Sequence, residues 1–325
     1  MQTPPYLRYA LRRLVHAIGV ILAAYVLTFL VISVLPGDPI SNTLLNPDSG
    51  FTEADIKPII AYYGLDRPVL EQLWLSLSRF VTGDFGVSFR SSIAVSTMIA
   101  QALPPTLALA GSALAVALAL AMLISYGALN LPPRLGQGLL RALPSLYLAI
   151  PGFVIGLALI QIFAFQFGLF RITQPDSATA TLFAAITLGI PVSAHIAEVL
   201  IANLDHEARQ EYATVARARG LAHTRLFFAH LLRPSSLPVV TMIALAVGEL
   251  LGGSLITETI FGRKGVGSLV QSAVATQDFP VLQAVVSLAA VVFVVVNLAA
   301  DLIYPLLDPR LRSGGRAVNP TEAVS

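Results

Sequence analysis

The segment RQEYATVARARGLAHTRLFFAHLLR, Arg209–Arg233, decides the reading of this chain, because it is polar and basic yet lies between two stretches hydrophobic enough to cross a membrane. It has helix-forming residues, a single glycine, Gly220, near its middle, and charges at both ends. An integral membrane protein that places such a loop on the cytoplasmic side presents it to a soluble partner.

The composition agrees with that setting. Of the 325 residues, 56% are hydrophobic and 12% charged, whereas a soluble domain carries about 25% charged residues. The apolar residues come in long blocks, and six spans of about 20 residues can be drawn: Leu14–Leu35, Thr106–Leu129, Leu143–Phe167, Thr181–Leu204, Leu237–Thr257 and Val281–Leu306. All 20 Lys and Arg fall outside them. The first span is too long for a cleavable signal peptide, and LPGDP follows it instead of a small-residue cleavage site. With the N-terminus inside, the cytoplasmic segments hold thirteen basic residues and the longer outside segments seven, so both termini are expected in the cytoplasm. A net charge of +2 gives no sign of nucleic acid, and the absence of cysteine excludes disulfides and cysteine-held metals.

The resulting organisation is a cytoplasmic N-terminus (1–13), a first helix (14–35), an external subdomain with an interfacial segment (36–105), a five-helix core (106–306) carrying an inner loop at 205–236, and a cytoplasmic tail (307–325). In the external part, Pro36-Gly37-Asp38-Pro39 ends the first helix. Thr52–Tyr63 reads as a helix capped by Thr52. Pro68–Val81 reads as a second, with Leu70, Leu73, Trp74, Leu77 and Phe80 on one face. This unit is a cap on the membrane domain, a platform for an external partner, or both. Ser92–Leu103, apolar and uncharged, reads as an interfacial approach to the second span. The glycine-rich FGRKGVG at Phe261–Gly267 lacks the strand–loop–helix context of a phosphate loop. The tail after Asp308 is expected to be disordered.

Ionisable groups within spans are costly and point to function. Glu249, central in the fifth span and flanked by Gly248, Gly252 and Gly253, is the strongest candidate for lining a translocation path. Glu198 and Asp301 lie nearer span ends, where water or an arginine accounts for them. His195 and Glu198 make an H-x-x-E pair, but no span offers a third metal ligand, and no nucleophile–base arrangement is visible. Pro144, Pro151 and Pro191 can break helical hydrogen bonds, which a membrane tolerates only beside protein or a water-filled cavity. That favours transport. An ion- or proton-coupled secondary transporter, with Glu249 as its ion site, is the rival from another class.

The ordered pieces LRYALRR (Leu7–Arg13), LPGDP (Leu35–Pro39), YGLDRPVLEQ (Tyr63–Gln72), GDFGVSF (Gly83–Phe89), LPPTLALA (Leu103–Ala110), EYATVARARG (Glu211–Gly220), LPVVT (Leu237–Thr241), ETIFGRKGVG (Glu258–Gly267) and LLDPRLR (Leu306–Arg312) resemble the permease subunit of bacterial ABC importers of the dipeptide, oligopeptide and nickel branch. The chain is most similar to the first of that branch's two permeases, over roughly residues 7 to 312.

The resemblance implies an all-α type I ABC importer permease fold in the bacterial inner membrane. The chain would pair with a second homologous permease, two ATPase subunits that bind ATP and Mg²⁺, and an external solute-binding protein that delivers substrate. Substrates of the branch are dipeptides, longer peptides, glutathione or nickel complexes, with peptides the default. The chain itself binds no cofactor or metal and lacks G-x-x-x-x-G-K-[ST], so it is expected not to be an enzyme.

The inner loop becomes the coupling motif seated on an ATPase, carried by Glu211, Tyr212, Thr214, Ala216, Arg217, Ala218, Arg219 and Gly220. Arg217 and Arg219 would pair with acidic groups, and Ala213, Ala216 and Ala218 would allow close approach. The path residues would be Glu249, Gly252, Gly253 and Pro151. Three positions depart from the family pattern. Thr214 stands where the motif's Glu is expected, Lys264 replaces a proline, and Glu198 and Ile201 replace basic residues.

Overall fold

The computed structural model describes the backbone of residues 5–34 and 53–307, and the side chains of residues 11–33 and 56–299. The LPGDP turn, the Thr52 cap, the Asp301 side chain and the tail after Asp308 lie outside the described residues.

Thirteen helical elements can be named in chain order. They are α1 (Pro5–Val34), α2 (Glu53–Tyr63), α3 (Val69–Thr82), α4 (Val95–Asn130), α5 (Gln137–Ala149), α6 (Gly152–Leu159, running into a π turn at Ile160–Gln166) and α7 (Ala178–Ala208). There follow α8 (Glu211–Ala218), α9 (His223–Leu226, then a π turn at Phe227–Leu231), α10 (Leu232–Ser235), α11 (Leu237–Phe261), α12 (Val266–Ala275) and α13 (Phe279–Leu307). The described residues contain no strand, only a single bridge between Val87 and Ala94. Helices α1, α4, α7, α11 and α13 are long and apolar enough to cross a bilayer.

The predicted third span is not straight. It is a pair, α5 and α6, bent by 99°, which makes the sixth crossing when counted as one broken span. The break sits at Ile150-Pro151. Ile150 is extended (φ −104°, ψ 122°), as a residue before proline must be, and Pro151 supplies no N–H to the turn before it. Pro144 and Pro191 stay inside α5 and α7 without interrupting them.

The interfacial approach expected at Ser92–Leu103 is instead the start of α4. Val95 and Ile99 pack with Ala273, Val281 and Val285, so protein contact holds them in line with the span. At 36 residues, α4 is about 54 Å long, well beyond a hydrocarbon core of about 30 Å.

Lipid provides no hydrophobic force between helices, so close approach of small residues has to supply the attraction. Helices α4 and α7 meet in this way. Ala113, Ala117 and Ala121 of α4, and Ala184, Ala185 and Ala197 of α7, are buried in one core. A methyl group on Gly189 would lie 2.8 Å from the Ala113 carbonyl oxygen.

Two buried carboxylates hold the external ends of the helices. Glu258 of α11 accepts the Thr106 hydroxyl at 2.6 Å and the Ser268 amide at 3.0 Å, and Thr106 in turn accepts the Val266 amide at 2.7 Å. The FGRKGVG stretch therefore does cradle an anion at a helix N-terminus, but the anion is the chain's own. A side chain at Gly265 would run into that carboxylate. Asp278, just before α13, accepts the Ser88 hydroxyl at 2.5 Å and the Phe89 amide at 3.2 Å. This ties the turn after α3 to the last span. Arg263 is buried as well, donating to the Pro175 carbonyl and the Thr181 hydroxyl.

In the external unit, the apolar face drawn for α3 divides. Phe80 lies against Tyr25 of α1, with ring centroids 4.7 Å apart, while Leu70 and Trp74 are exposed. The Tyr62 hydroxyl donates to Asp84 at 2.6 Å. That bond is the main reason the Asp84 carboxyl sits below its ordinary range. Burial, then Asp84, pushes Tyr62 up to about 12. The contribution of Asp84 is thus present above its unfolded pKa and fades as pH falls through the lowered folded value. That of Tyr62 is present below the ordinary tyrosine range and is lost as pH rises through about 12.

Glu258→Gln puts a donor where two donors converge, and an unmet buried donor costs about 1–3 kcal/mol. Thermal unfolding in detergent should therefore show a lower midpoint for Glu258→Gln than for Asp84→Asn at the exposed Tyr62 contact. Equal midpoints would mean that Glu258 is not a staple of the fold.

Candidate functional site

Two regions carry functional geometry: the inner loop with α8, and the open face shared by α7 and α11.

Helix α8 is short and is held from below. Ala213 and Ala216 are buried in the same core as Leu226 and Phe227, so they seat the loop on the bundle. Of the three alanines expected to allow close approach to a partner, the exposed one is Ala218. The helix ends in a Schellman turn, in which the Gly220 amide donates to the Arg217 carbonyl and the Leu221 amide to that of Ala216. Gly220 has φ +80° with open space where a Cβ would project, so its constraint is conformational and not steric. Tyr212, Val215 and Arg219 are exposed at helical spacing and form one outward face, with Glu211 and Thr214 beside it.

The two arginines differ in use. Arg217 donates to the Ala208 carbonyl at 2.5 Å and so fastens α8 to the end of α7, while the Arg219 side chain is open to solvent. Tyr212 donates to Glu207 at 2.6 Å. Burial, then this bond to Glu207, pushes the Tyr212 hydroxyl pKa up, so the hydroxyl stays protonated. Nearby, Arg141 of α5 makes a two-pronged pair with Asp205 at 2.6 and 2.8 Å. It ties the first half of the bent pair to α7 just above α8.

The second region lies deep in the bundle. Glu249 stands at the centre of α11, with twelve residues on either side. Its carboxylate is 3.5 Å from Nδ1 of His195 on α7, and the two side chains are 40% and 51% exposed. The helical spacing that pairs His195 with Glu198 in sequence is therefore not the pairing the fold makes. Glu198 accepts from Ser145 of α5 at 3.3 Å. Among the described residues, no three His, Cys, Asp or Glu converge as metal ligands.

The glycines beside Glu249 separate by role. Gly252 continues its open face, with nothing within 4 Å of a would-be Cβ. Gly253 turns the other way, and a methyl there would meet Leu188 of α7 at 2.7 Å, so it sets the approach of α11 to α7. Pro151 is exposed at the bend of the third span. Leu245 and Ile256 share the Glu249 side of α11 and are also exposed.

Sequence reasoning did not find Glu258, Asp278 or the His195–Glu249 contact. A partial signal existed for Glu258, which lies just ahead of the small residues Gly265 and Gly267 that its carboxylate requires. The other two depend on contacts distant in sequence.

Comparison with known proteins accords with this architecture. The family described as binding-protein-dependent transport system inner membrane component matches residues 117–313, and its companion N-terminal family matches residues 6–110. The glutathione transport system permease protein GsiC of Escherichia coli is 32% identical over 307 residues, covering 94% of this chain and 99% of that protein. Its counterpart from Shigella boydii gives the same figures, and that of Salmonella paratyphi A is 33% identical over 311 residues. An all-helical multi-pass chain, matched by this family over nearly its whole length, belongs to the binding-protein-dependent inner membrane transport components, and is a non-catalytic permease subunit of an ABC importer of the peptide and nickel type.

Proposed function

We propose that this chain and a second homologous permease enclose a path for peptides, delivered by an external solute-binding protein and driven by two ATPase subunits docked at α8. Both termini lie in the cytoplasm, and ATP and Mg²⁺ belong to the ATPases. The observation that carries this reading is the build of α8. It has two buried alanines, a glycine in the left-handed region at its end, and an outward face of Tyr212, Val215 and Arg219. Such a face is rigid enough to pass on a push from a partner. Arg217 transmits it to α7 through the Ala208 carbonyl, and α7 carries His195 opposite Glu249. Movement of the ATPases thus reaches the open face through one continuous helix. A peptide substrate is supported by the relatives named for glutathione, itself a small peptide.

Gly220→Val forces a β-branched residue into the left-handed region, a strain of about 1–3 kcal/mol. Loss of the Schellman turn should abolish uptake while the protein still reaches the membrane at wild-type level. Wild-type uptake by the variant would remove α8 from the coupling role.

Glu249→Gln removes a charge from the path without changing its shape. Uptake should fall about tenfold, the loss of one charge-assisted contact, while ATP hydrolysis stimulated by the binding protein persists. Unchanged uptake for each peptide tested would leave Glu249 with a structural role.

A further inference from the structure

The external unit between the first two spans reads from its sequence as a cap or a platform in water. The contacts of α3 place it lower. The Ser76 hydroxyl of α3 bonds that of Tyr25 at 2.5 Å, and Tyr25 lies near the middle of the first span, Leu11–Ser33. The carbonyl of Tyr25 also accepts from Gln283 of α13 at 3.4 Å. Gln283 is five residues inside Asp278, the residue that anchors the external turn, and this corresponds to about 7 Å along a helix. Two spans therefore give α3 the same level, below the ends of its neighbours.

The side chains of α3 suit that level. Leu70, Trp74, Leu77 and Val81 recur at spacings of four, three and four, which places them on one stripe. Three of them are almost fully open: Leu70 is 79%, Trp74 71% and Val81 75% exposed. The stripe is bounded on one side by Phe80 and Ser76, which face α1, and on the other by the exposed polar residues Glu71 and Ser78. Arg79 turns back toward its own subdomain, its guanidinium 3.9 Å from the Tyr62 ring centroid. The neighbouring α1 carries exposed Leu27 and Val31 of its own, as a lipid-facing span does.

Set in water, this stripe would be an unexplained apolar patch. At the level that Tyr25 and Gln283 define, it meets the boundary between headgroups and acyl chains, where amphipathic helices rest about 5–10 Å deep and where tryptophan is enriched. We propose that α3 is an interfacial helix, with its Leu70–Trp74–Leu77–Val81 face seated in lipid on the side of the membrane opposite α8. The external unit is then held at a fixed height by the bilayer as well as by Asp278. The occupant of the stripe is lipid, not the binding protein.

Trp74 is the chain's single tryptophan, so its fluorescence reports this site with no substitution. The purified full-length chain would be placed in nanodiscs of ordinary phospholipid, or of phospholipid brominated on its acyl chains, and titrated with iodide. The expected result is blue-shifted emission, strongly quenched by the brominated lipid and hardly touched by iodide. Quenching by iodide equal to or above that by brominated lipid would overturn the proposal in favour of a water-facing helix. Emission that neither quencher reaches would overturn it too, since the stripe would then be covered by protein. Because the chain has no cysteine, a nitroxide at Trp74→Cys and another at Ser78→Cys give a second reading. The first should collide preferentially with oxygen and the second with a water-soluble nickel chelate. The same preference at both positions would count against an interfacial orientation.

Discussion

Between α4 and α7 the backbones come so close that a methyl group at Gly189 would lie 2.8 Å from the Ala113 carbonyl oxygen. In water, such a crossing could be replaced by larger side chains that bury apolar surface. In lipid that gain disappears, and attraction depends on surfaces flat enough to touch along their length. The alanines of both helices provide the flat surface. Other placements follow from α7 once it is fixed. Helix α11 approaches it where Gly253 meets Leu188, which brings Glu249 beside His195. At the inner end of α7, the Ala208 carbonyl receives Arg217 and holds α8 in place.

The carboxylates of this bundle show how environment divides one chemical group between two uses. Glu258 and Asp278 are almost wholly buried, yet each accepts two hydrogen bonds from donors that would otherwise be orphaned. A buried charge is tolerable on that condition, and both residues join segments far apart in the chain. Glu249 has a single long contact to an imidazole and remains well exposed. Its geometry is a poor staple and suits a group that exchanges partners.

The spans were legible in the sequence because hydropathy over about 20 residues is a strong signal. The inner loop was legible because Gly220 and its flanking basic residues stand out against apolar neighbours. The bend at Pro151 was not singled out, since Pro144 and Pro191 give the same local signal and tertiary packing decides which one breaks a helix. The start of α4 at Val95 was missed for a similar reason: contacts with α12 and α13, not local composition, keep those first turns helical. Arg217 and Ala216 were read as partner-facing when they serve the chain's own packing. The Glu258–Thr106 and Asp278–Ser88 bonds join residues 152 and 190 positions apart, a separation at which no spacing rule operates.

The open face of α7 and α11 can be placed by elimination. A histidine and a carboxylate, each about half exposed in the middle of its helix, would be expensive against acyl chains. Snorkelling to an interface does not help, because Glu249 has twelve residues of helix on either side. The face must therefore meet water or another protein. Gly252 leaves room beside the pair, and the exposed Leu245 and Ile256 extend the same side of α11 above and below it. A narrow polar site between two apolar steps binds a passing solute without holding it, since desolvation on either side limits how long a charged group can stay. That arrangement serves a path better than it serves a closed subunit contact, where an unsatisfied pair would be filled or neutralised.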